Sequence, residues 1–301
     1  KKNDIFFTIK GKKNDGNKFV GQAFSKKASL AIVNKINKKN NIKRQIKIKN
    51  TLKFLTESSK VFRENINTKI IAITGSCGKT TLKELLGSSL KKLSKVSISP
   101  KSFNNKYGVP LSLFNLSQKD NYGVIEIGMD KKGEIDHLSK IVQPDVSVIT
   151  NINYAHVKNF RNLKQIALAK SEIINNTKDS GIIILNADDY FFTLHKKIAK
   201  KKNLKILSFG IKSKKTNVKL ISIQKVGKKF RANIKINNLK THFLISNDFQ
   251  NNILNILATL TIMSIFIDTV KMKKDIFLDF KTPIGRGDFS KIKFKNKNLN
   301  L

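Results

Sequence analysis

The stretch IIAITGSCGKTTLKELL, residues 70–86, constrains the fold more than any other part of the chain. A short apolar run, residues 70–74, enters a glycine-rich turn and leaves it as an amphipathic segment. A run of that length ending in glycine reads as a buried parallel strand. The turn is Gly75-Ser76-Cys77-Gly78-Lys79-Thr80-Thr81. Glycines let the backbone curl so that successive N–H groups face an anion. The helix that follows adds the partial positive charge of its N-terminus. This is the strand–loop–helix of a phosphate-binding loop. Its second half matches G-x-x-x-x-G-K-[ST], but Ile73 stands where the first glycine belongs and Gly75 comes two residues late. Lys79 is expected to reach the terminal phosphates and the Thr80 hydroxyl to bind Mg2+. Leu82, Leu85, Leu86, Leu90 and Leu93 fall on one face of the predicted helix, with lysines mostly opposite.

Cys77 is the single cysteine. It excludes an intramolecular disulfide and fits a reducing compartment. A helix N-terminus and a neighbouring lysine favour thiolate. A nucleophilic cysteine also needs a base, and none of the four histidines is singled out for that task. Cys77 therefore reads as a serine-sized loop residue whose backbone N–H makes the contact.

The chain carries 60 Lys+Arg against 20 Asp+Glu, a net charge of +40. Such a balance suggests nucleic acid or an anionic membrane. The distribution argues against both. The lysines spread over the whole length, aromatic interleaving is absent, and only five residues are arginine, the usual reader of bases and phosphates. Abundant Lys, Asn and Ile share A/T-rich codons, so genome composition accounts for the charge. The apolar run 253–267 is too short to span a membrane and carries Asn255, Thr259, Thr261 and Ser264, so it reads as a buried helix. The opening KKNDIFFTIKGKK lacks the apolar core of a signal peptide, and a cytoplasmic location is expected. The chain begins without methionine and ends in KIKFKNKNLNL, which reads as an interrupted strand; a fragment cut at both ends is expected.

Two units are predicted. Residues 1–68 read as a small βαβα arrangement, with strands near 4–11 and 29–34 and helices near 18–28 and 51–65. A polar linker lies at 64–69. From Lys69, apolar runs at 70–74, 123–128, 145–151, 181–186 and 205–210 alternate with helical segments near 133–142, 161–176 and 188–202. That alternation predicts an α/β fold with a doubly wound, mainly parallel sheet. Three alternating segments after Gly210 predict an antiparallel meander at its edge.

Three further residues carry chemistry. Glu126 ends an apolar run in YGVIEIGMD, where ligands of doubly wound sheets sit. A carboxylate there, beside a phosphate loop, is a natural Mg2+ ligand. Most phosphate-loop enzymes have Asp in the comparable place. His156 follows another strand on the same side. Lys170, in LKQIALAKSEII, falls on the apolar helical face among Leu163, Ile166, Ala167, Ile173 and Ile174. It either snorkels or pairs with a carboxylate, or a lowered pKa leaves a neutral amine that takes up CO2 as a carbamate able to hold a second Mg2+. Periodicity does not choose between these readings.

Taken together, these residues resemble the Mur ligase family, the ATP-dependent amide ligases of peptidoglycan precursor synthesis. The family loop T-G-[ST]-x-G-K-T accounts for the late glycine. The segments KSFNNKYGVPLSLFNL (101–116), VIEIGMDKKGEI (124–135), VITNINYAHVKNF (148–160), ALAKSEI (167–173), GIIILNADD (181–189) and PIGR (283–286) carry the likeness. They are most similar to the branch that adds D-alanyl-D-alanine to a UDP-N-acetylmuramoyl tripeptide. The resemblance implies three domains: an incomplete UDP-sugar-binding domain at 1–68, an ATP-binding central domain at 69–286, and the truncated start of a C-terminal domain at 287–301. It implies ATP on Gly75, Ser76, Cys77, Gly78, Lys79, Thr80 and Thr81, with Asn104 and Asn105 near phosphate and substrate. Asn252 would lie near the adenine and Arg286 at the hinge to the next domain. Of two Mg2+ sites, Thr80 and Glu126 would serve one, His156 and a carbamylated Lys170 the other. The expected catalytic set is Lys79, Glu126, His156 and Lys170. ATP would phosphorylate the tripeptide carboxylate, and the D-Ala-D-Ala amine would attack the acyl phosphate. The segment FQNNILN departs from the family's Gly-x-His-Asn-x-x-Asn, with Phe249 for Gly and Asn251 for His. A monomer is expected, and the 301 residues alone are expected to have little ligase activity. Two rival readings stand beside this one: another phosphate-loop ATPase or phosphotransferase, and a non-catalytic basic module binding nucleotide or RNA.

Overall fold

The computed structural model describes residues 3–11, 14–154, 159–246, 252–283, 291–294 and 297–300. The chain divides into two compact units, Lys1–Asn65 and Ile66–Leu301.

The first unit is built on three short parallel strands, β1 (Ile5–Phe7), β2 (Leu30–Val33) and β3 (Gln45–Lys47), paired in that order. Helix α1 (Val20–Ser25) lies between β1 and β2, and α2 (Thr51–Glu64) follows β3. Val20, Ala31 and Val33 form a small core with Phe6, Phe24 and Ile36 packed against it. Asn50 caps α2 by accepting from Lys53 N. The Thr51 hydroxyl donates 2.7 Å to Thr8 O behind β1. β3 is not anticipated by the sequence pattern, because Gln-Ile-Lys offers no apolar run.

The second unit is one nine-stranded sheet. Its parallel part comprises β4 (Lys69–Thr74), β5 (Val96–Ile98), β6 (Tyr122–Glu126), β7 (Val146–Ile149), β8 (Ile182–Asn186) and β9 (Lys205–Gly210). The meander β10 (Val218–Val226), β11 (Lys229–Ile236), β12 (Leu239–Ser246) continues the same sheet, with β10 parallel to β9 and only its later pairings antiparallel. The full order is β12-β11-β10-β9-β8-β7-β4-β6-β5. The doubly wound, mainly parallel sheet predicted from the sequence is the one observed. Crossovers are made by α3 (Lys79–Lys91), α4 (Gly108–Phe114), α5 (Glu134–Val142), α6 (Leu163–Asn175) and α7 (Phe192–Lys201). Helix α8 (Ile253–Phe266) is apolar on nearly every side and packs on α3, β8, β9 and β10. Strands β13 (Lys291–Phe294) and β14 (Lys297–Asn300) pair as an antiparallel hairpin. Among the described residues, no helix is long and apolar enough to cross a membrane.

Three expectations need correction. Helix α3 ends at Lys91, so Leu93 leaves the predicted apolar face and is 42% exposed. Lys83 does not face solvent; it is fully buried. Helix α7 starts at Phe192 rather than near 188, because Asp188 and Asp189 turn their carboxylates to the backbone of other segments.

Leu90 is fully buried in the main core, whereas Leu93 lies one turn on and outside it. Leu90→Ala is expected to cost about 2–5 kcal/mol of stability and Leu93→Ala to stay within about 0.5 kcal/mol, as read by chemical denaturation.

Candidate active site

The site grows from the carboxyl end of β4. In the sheet, β4 has β6 on one side and β7 on the other. The chain passes from β4 to the edge strand β5, returns to β6 beside β4, and then crosses to β7 on the other side; such a switch point leaves a crevice beyond the strand ends. The loop 75–78 fills that position. Gly75 has φ +145° and Gly78 has φ +80° at the N-terminus of α3. A Cβ on Gly75 would lie 1.9 Å from Thr150 Oγ1, so both the dihedral and the close approach require glycine.

The loop is fastened to the segment after β7. Ser76 N donates to Asn151 O at 2.9 Å, and Cys77 N to Asn151 Oδ1 at 3.0 Å. Thr150 Oγ1 and Asn151 Nδ2 both donate to Cys77 O, at 2.7 and 3.2 Å. Asn153 N donates to Ser76 Oγ at 2.9 Å. The segment is held in turn by the LNADD turn after β8. Asn186 Nδ2 donates to Thr150 O at 3.1 Å, and Ile152 N to Asp189 Oδ2 at 2.7 Å. The Cys77 N–H, expected to face the anion, is instead taken by the Asn151 carboxamide, while the residue itself is exposed. Lys79 Nζ donates to Gly75 O and Ser76 O, at 2.8 and 3.2 Å. Thr81, next along α3, is buried.

Glu126, the last residue of β6, is 1% exposed. Thr80 Oγ1 donates to its Oε2 at 2.9 Å and Asn104 Nδ2 to its Oε1 at 2.7 Å. Its own N–H donates to Ser99 Oγ at 3.1 Å. Among the described residues no cation pairs with this carboxylate. A buried anion without a countercharge is costly. The hydroxyl and carboxylate oxygens around it are the hard donors Mg2+ takes, so the residues fit that ion.

The two asparagines of KSFNNKYGV part company. Asn104 joins Glu126, while the Asn105 carboxamide accepts from Tyr107 N and Gly108 N at the start of α4. Asn252 precedes α8 and accepts from Asn255 Nδ2 at 3.3 Å. Asn255 in turn borders Gly78, whose added Cβ would come within 3.0 Å of its Oδ1.

Lys170 sits on the buried face of α6 with Ile166, Ala167, Ile173 and Ile174, itself 1% exposed. Among the described residues it has no hydrogen-bond or ion-pair partner. Burial pushes its ammonium down from 10.5 to about 7, and the nearby charge of Lys79 adds to the effect. The next acidic residue along α6, Glu172, binds Gly133 N at 2.8 Å and Asp136 N at 3.0 Å, and so docks α6 on the start of α5. His156, Phe249, Asn251 and Arg286 lie outside the described residues. Among the described residues no group of three His, Cys, Asp or Glu gathers as a metal site.

The family model for the Mur ligase middle domain matches residues 73–263. The chain belongs to the Mur ligase family. Two similar relatives bear the name UDP-N-acetylmuramoyl-tripeptide–D-alanyl-D-alanine ligase. That of Buchnera aphidicola subsp. Acyrthosiphon pisum is 39% identical over 70% of this chain and 46% of its own length. That of Rickettsia prowazekii is 32% identical over 95% of this chain and 64% of its own. The chain therefore spans about half to two thirds of these relatives. Among solved structures, MurF from Acinetobacter baumannii superposes with a TM-score of 0.85 at 29% identity, over 99% of this chain and 64% of that one. The MurF ligase of Thermotoga maritima, solved in complex with ADP, gives 0.80 at 28% identity, over 97% and 66%.

In this Mur ligase chain the residues that sequence reasoning missed are those that hold others. Thr150 and Asn151 carry the loop, yet neither is more than a polar residue closing an apolar strand. Ser99 receives the Glu126 N–H from a region with no recognisable strand signal, and Lys83, on the recognised helix α3, donates to Ser99 O. In the first unit, a cleft of about 570 Å3 is lined by Lys10, Asp15, Asn17, Asn34, Lys35, Lys47 and Lys49. The Asn17 backbone N–H holds the Asp15 carboxyl below its usual range.

Because the folded chain lowers the Lys170 pKa, the unfolded chain binds more protons between about pH 7 and 10.5. This group's contribution to stability therefore rises with pH through that window and is least favourable below it. Lys170→Met is expected to be more stable than wild type near pH 7, with the advantage shrinking toward pH 10, as measured by urea unfolding at each pH.

Proposed function

We propose that this chain is the nucleotide-binding part of an ATP-dependent amide ligase of peptidoglycan precursor synthesis, which joins D-alanyl-D-alanine to a UDP-N-acetylmuramoyl tripeptide. The observation that carries this reading is the buried, uncountered Glu126 carboxylate gripped by the phosphate-loop Thr80 and by Asn104. The names of the two relatives support the substrate assignment. The basic cleft of the first unit suits the diphosphate of a UDP-sugar.

In this reading Lys79 and the loop amides other than those of Ser76 and Cys77, which Asn151 takes, bind the ATP phosphates, and Asn252 lies toward the adenine. Arg286 takes its place at a hinge to a following domain. Thr80 and Glu126 hold one Mg2+; His156 and Lys170 serve a second. Bound there, Mg2+ neutralises phosphate charge. Lys170, with a pKa of about 7, has enough neutral amine at physiological pH to add CO2 and become an anionic carbamate. The tripeptide's terminal carboxylate oxygen attacks the γ-phosphorus and ADP leaves. The amine of D-Ala-D-Ala then attacks the acyl carbon, phosphate departs, and the amine gives up its proton. Such chemistry needs positioning and charge neutralisation more than a protein nucleophile.

Phosphate release is the decisive assay, run on the chain and on the chain extended to the length of its relatives. The extended protein is expected to release phosphate at least about tenfold faster with both UDP-muramoyl tripeptide and D-Ala-D-Ala than with either alone. Equal turnover without them would identify an ATPase or phosphotransferase instead. Lys170→Ala should lower the rate by about 100-fold, with partial recovery on adding a small carboxylic acid. Full activity in that variant would reject the carbamate.

A further inference from the structure

Lys83 is the one charged side chain of α3 that is fully buried, and nothing in the proposed chemistry uses it. It lies one turn beyond Thr80 on the same helix. Its ammonium donates to Ser99 O at 2.7 Å and to Lys101 O, and it meets Glu84 Oε1 at 3.1 Å. An ammonium has three donors, and these three oxygens account for them. Two belong to the backbone of the turn that leaves β5. Lys101 holds a left-handed φ of +46° in that turn, which directs its carbonyl back to Lys83.

The same turn carries the groups that face Glu126. Ser99 accepts the Glu126 N–H on its hydroxyl, and Asn104, five residues on, donates to the carboxylate. Gly128 N donates to Asn104 O at 2.8 Å, and a side chain at Gly128 would strike the Asn104 carboxamide. Helix α3 therefore reaches the Glu126 carboxylate twice, directly through Thr80 and indirectly through Lys83 and the 99–104 turn. We propose that Lys83 is a positioning residue for the metal-binding carboxylate: it fixes the 99–104 turn so that Asn104 orients Glu126 toward the ion shared with Thr80. This rests on the reading of Thr80 and Glu126 as Mg2+ ligands. It adds that their geometry is set by a buried cation which touches neither nucleotide nor metal.

The test is a double-mutant cycle read by calorimetry on the chain itself. The affinity for the β,γ-imido analogue of ATP is measured with Mn2+ and again in EDTA. The quantity compared is the gain in affinity that Mn2+ confers. In Lys83→Met this gain is expected to fall at least about tenfold, while binding in EDTA changes less than about twofold. In an Asn104→Ala background, Lys83→Met should change the gain by less than about twofold more, because its effect passes through Asn104. A gain equal to wild type, an equal loss with and without metal, or losses that multiply in the double variant would each overturn the proposal. If Lys83→Met does not fold, Lys83→Arg enters the same cycle; it keeps the charge but not the geometry of the donors, and the same three outcomes decide. A wild-type chain that shows no gain with Mn2+ overturns the metal reading itself, and this inference with it. A wild-type gain that Lys83→Met retains removes only the role given to Lys83.

Discussion

A carboxylate taken out of water must be given partners, and Glu126 is given its partners by two separate pieces of chain, α3 and the turn after β5. Thr80 comes from the first turn of α3, Asn104 from the turn after β5, and the Ser99 hydroxyl receives the Glu126 amide. The rotational phase of α3, the length of β6 and the path of residues 99–104 are all tied to one pair of oxygens. Shifting β6 by a single residue would turn Glu126 to the other face of the sheet. Its side chain would then leave the crevice altogether.

The phosphate loop depends on a second, linked set of bonds. Its glycines allow the curve, but its shape is held by Thr150 and Asn151, which follow β7. These answer to Asn186 and Asp189, which follow β8. The carboxyl ends of three neighbouring strands are thus laced together in the order β8, β7, β4. A parallel sheet that places these strands side by side is therefore part of the site's construction as well as its support.

What the sequence disclosed, and what it withheld, follow from the kind of force involved. Apolar runs report burial directly, so β4, β7, β8 and α8 were legible, as was the place of Lys170 on the inner face of α6. Glycines with required dihedrals marked the loop. Short elements escaped: Val96–Ile98 is too brief a run to stand out, and α4 contains both Gly108 and Pro110. Pro110 is tolerated because it falls in the first helical turn, where its missing N–H has no partner to lose, and Asn105 satisfies the Gly108 N–H. Lys83 escaped for a different reason. A helical wheel registers polarity, while the burial of Lys83 rests on carbonyls about sixteen to eighteen residues away that no local pattern displays.

Two populations of lysine coexist in this chain. Among the described residues only Lys83 and Lys170 are buried, and the others belong to the surface or its margin. The surface set repel one another through solvent, over distances comparable to a Debye length of about 8 Å at physiological ionic strength. Dissolved ions soften that repulsion. They do not enter the interior, where Lys83 is bound to carbonyl dipoles at contact distance. Ionic strength is therefore a lever that acts on the envelope of the protein and leaves its central cation untouched, so the two populations are physically separable although they share one side chain.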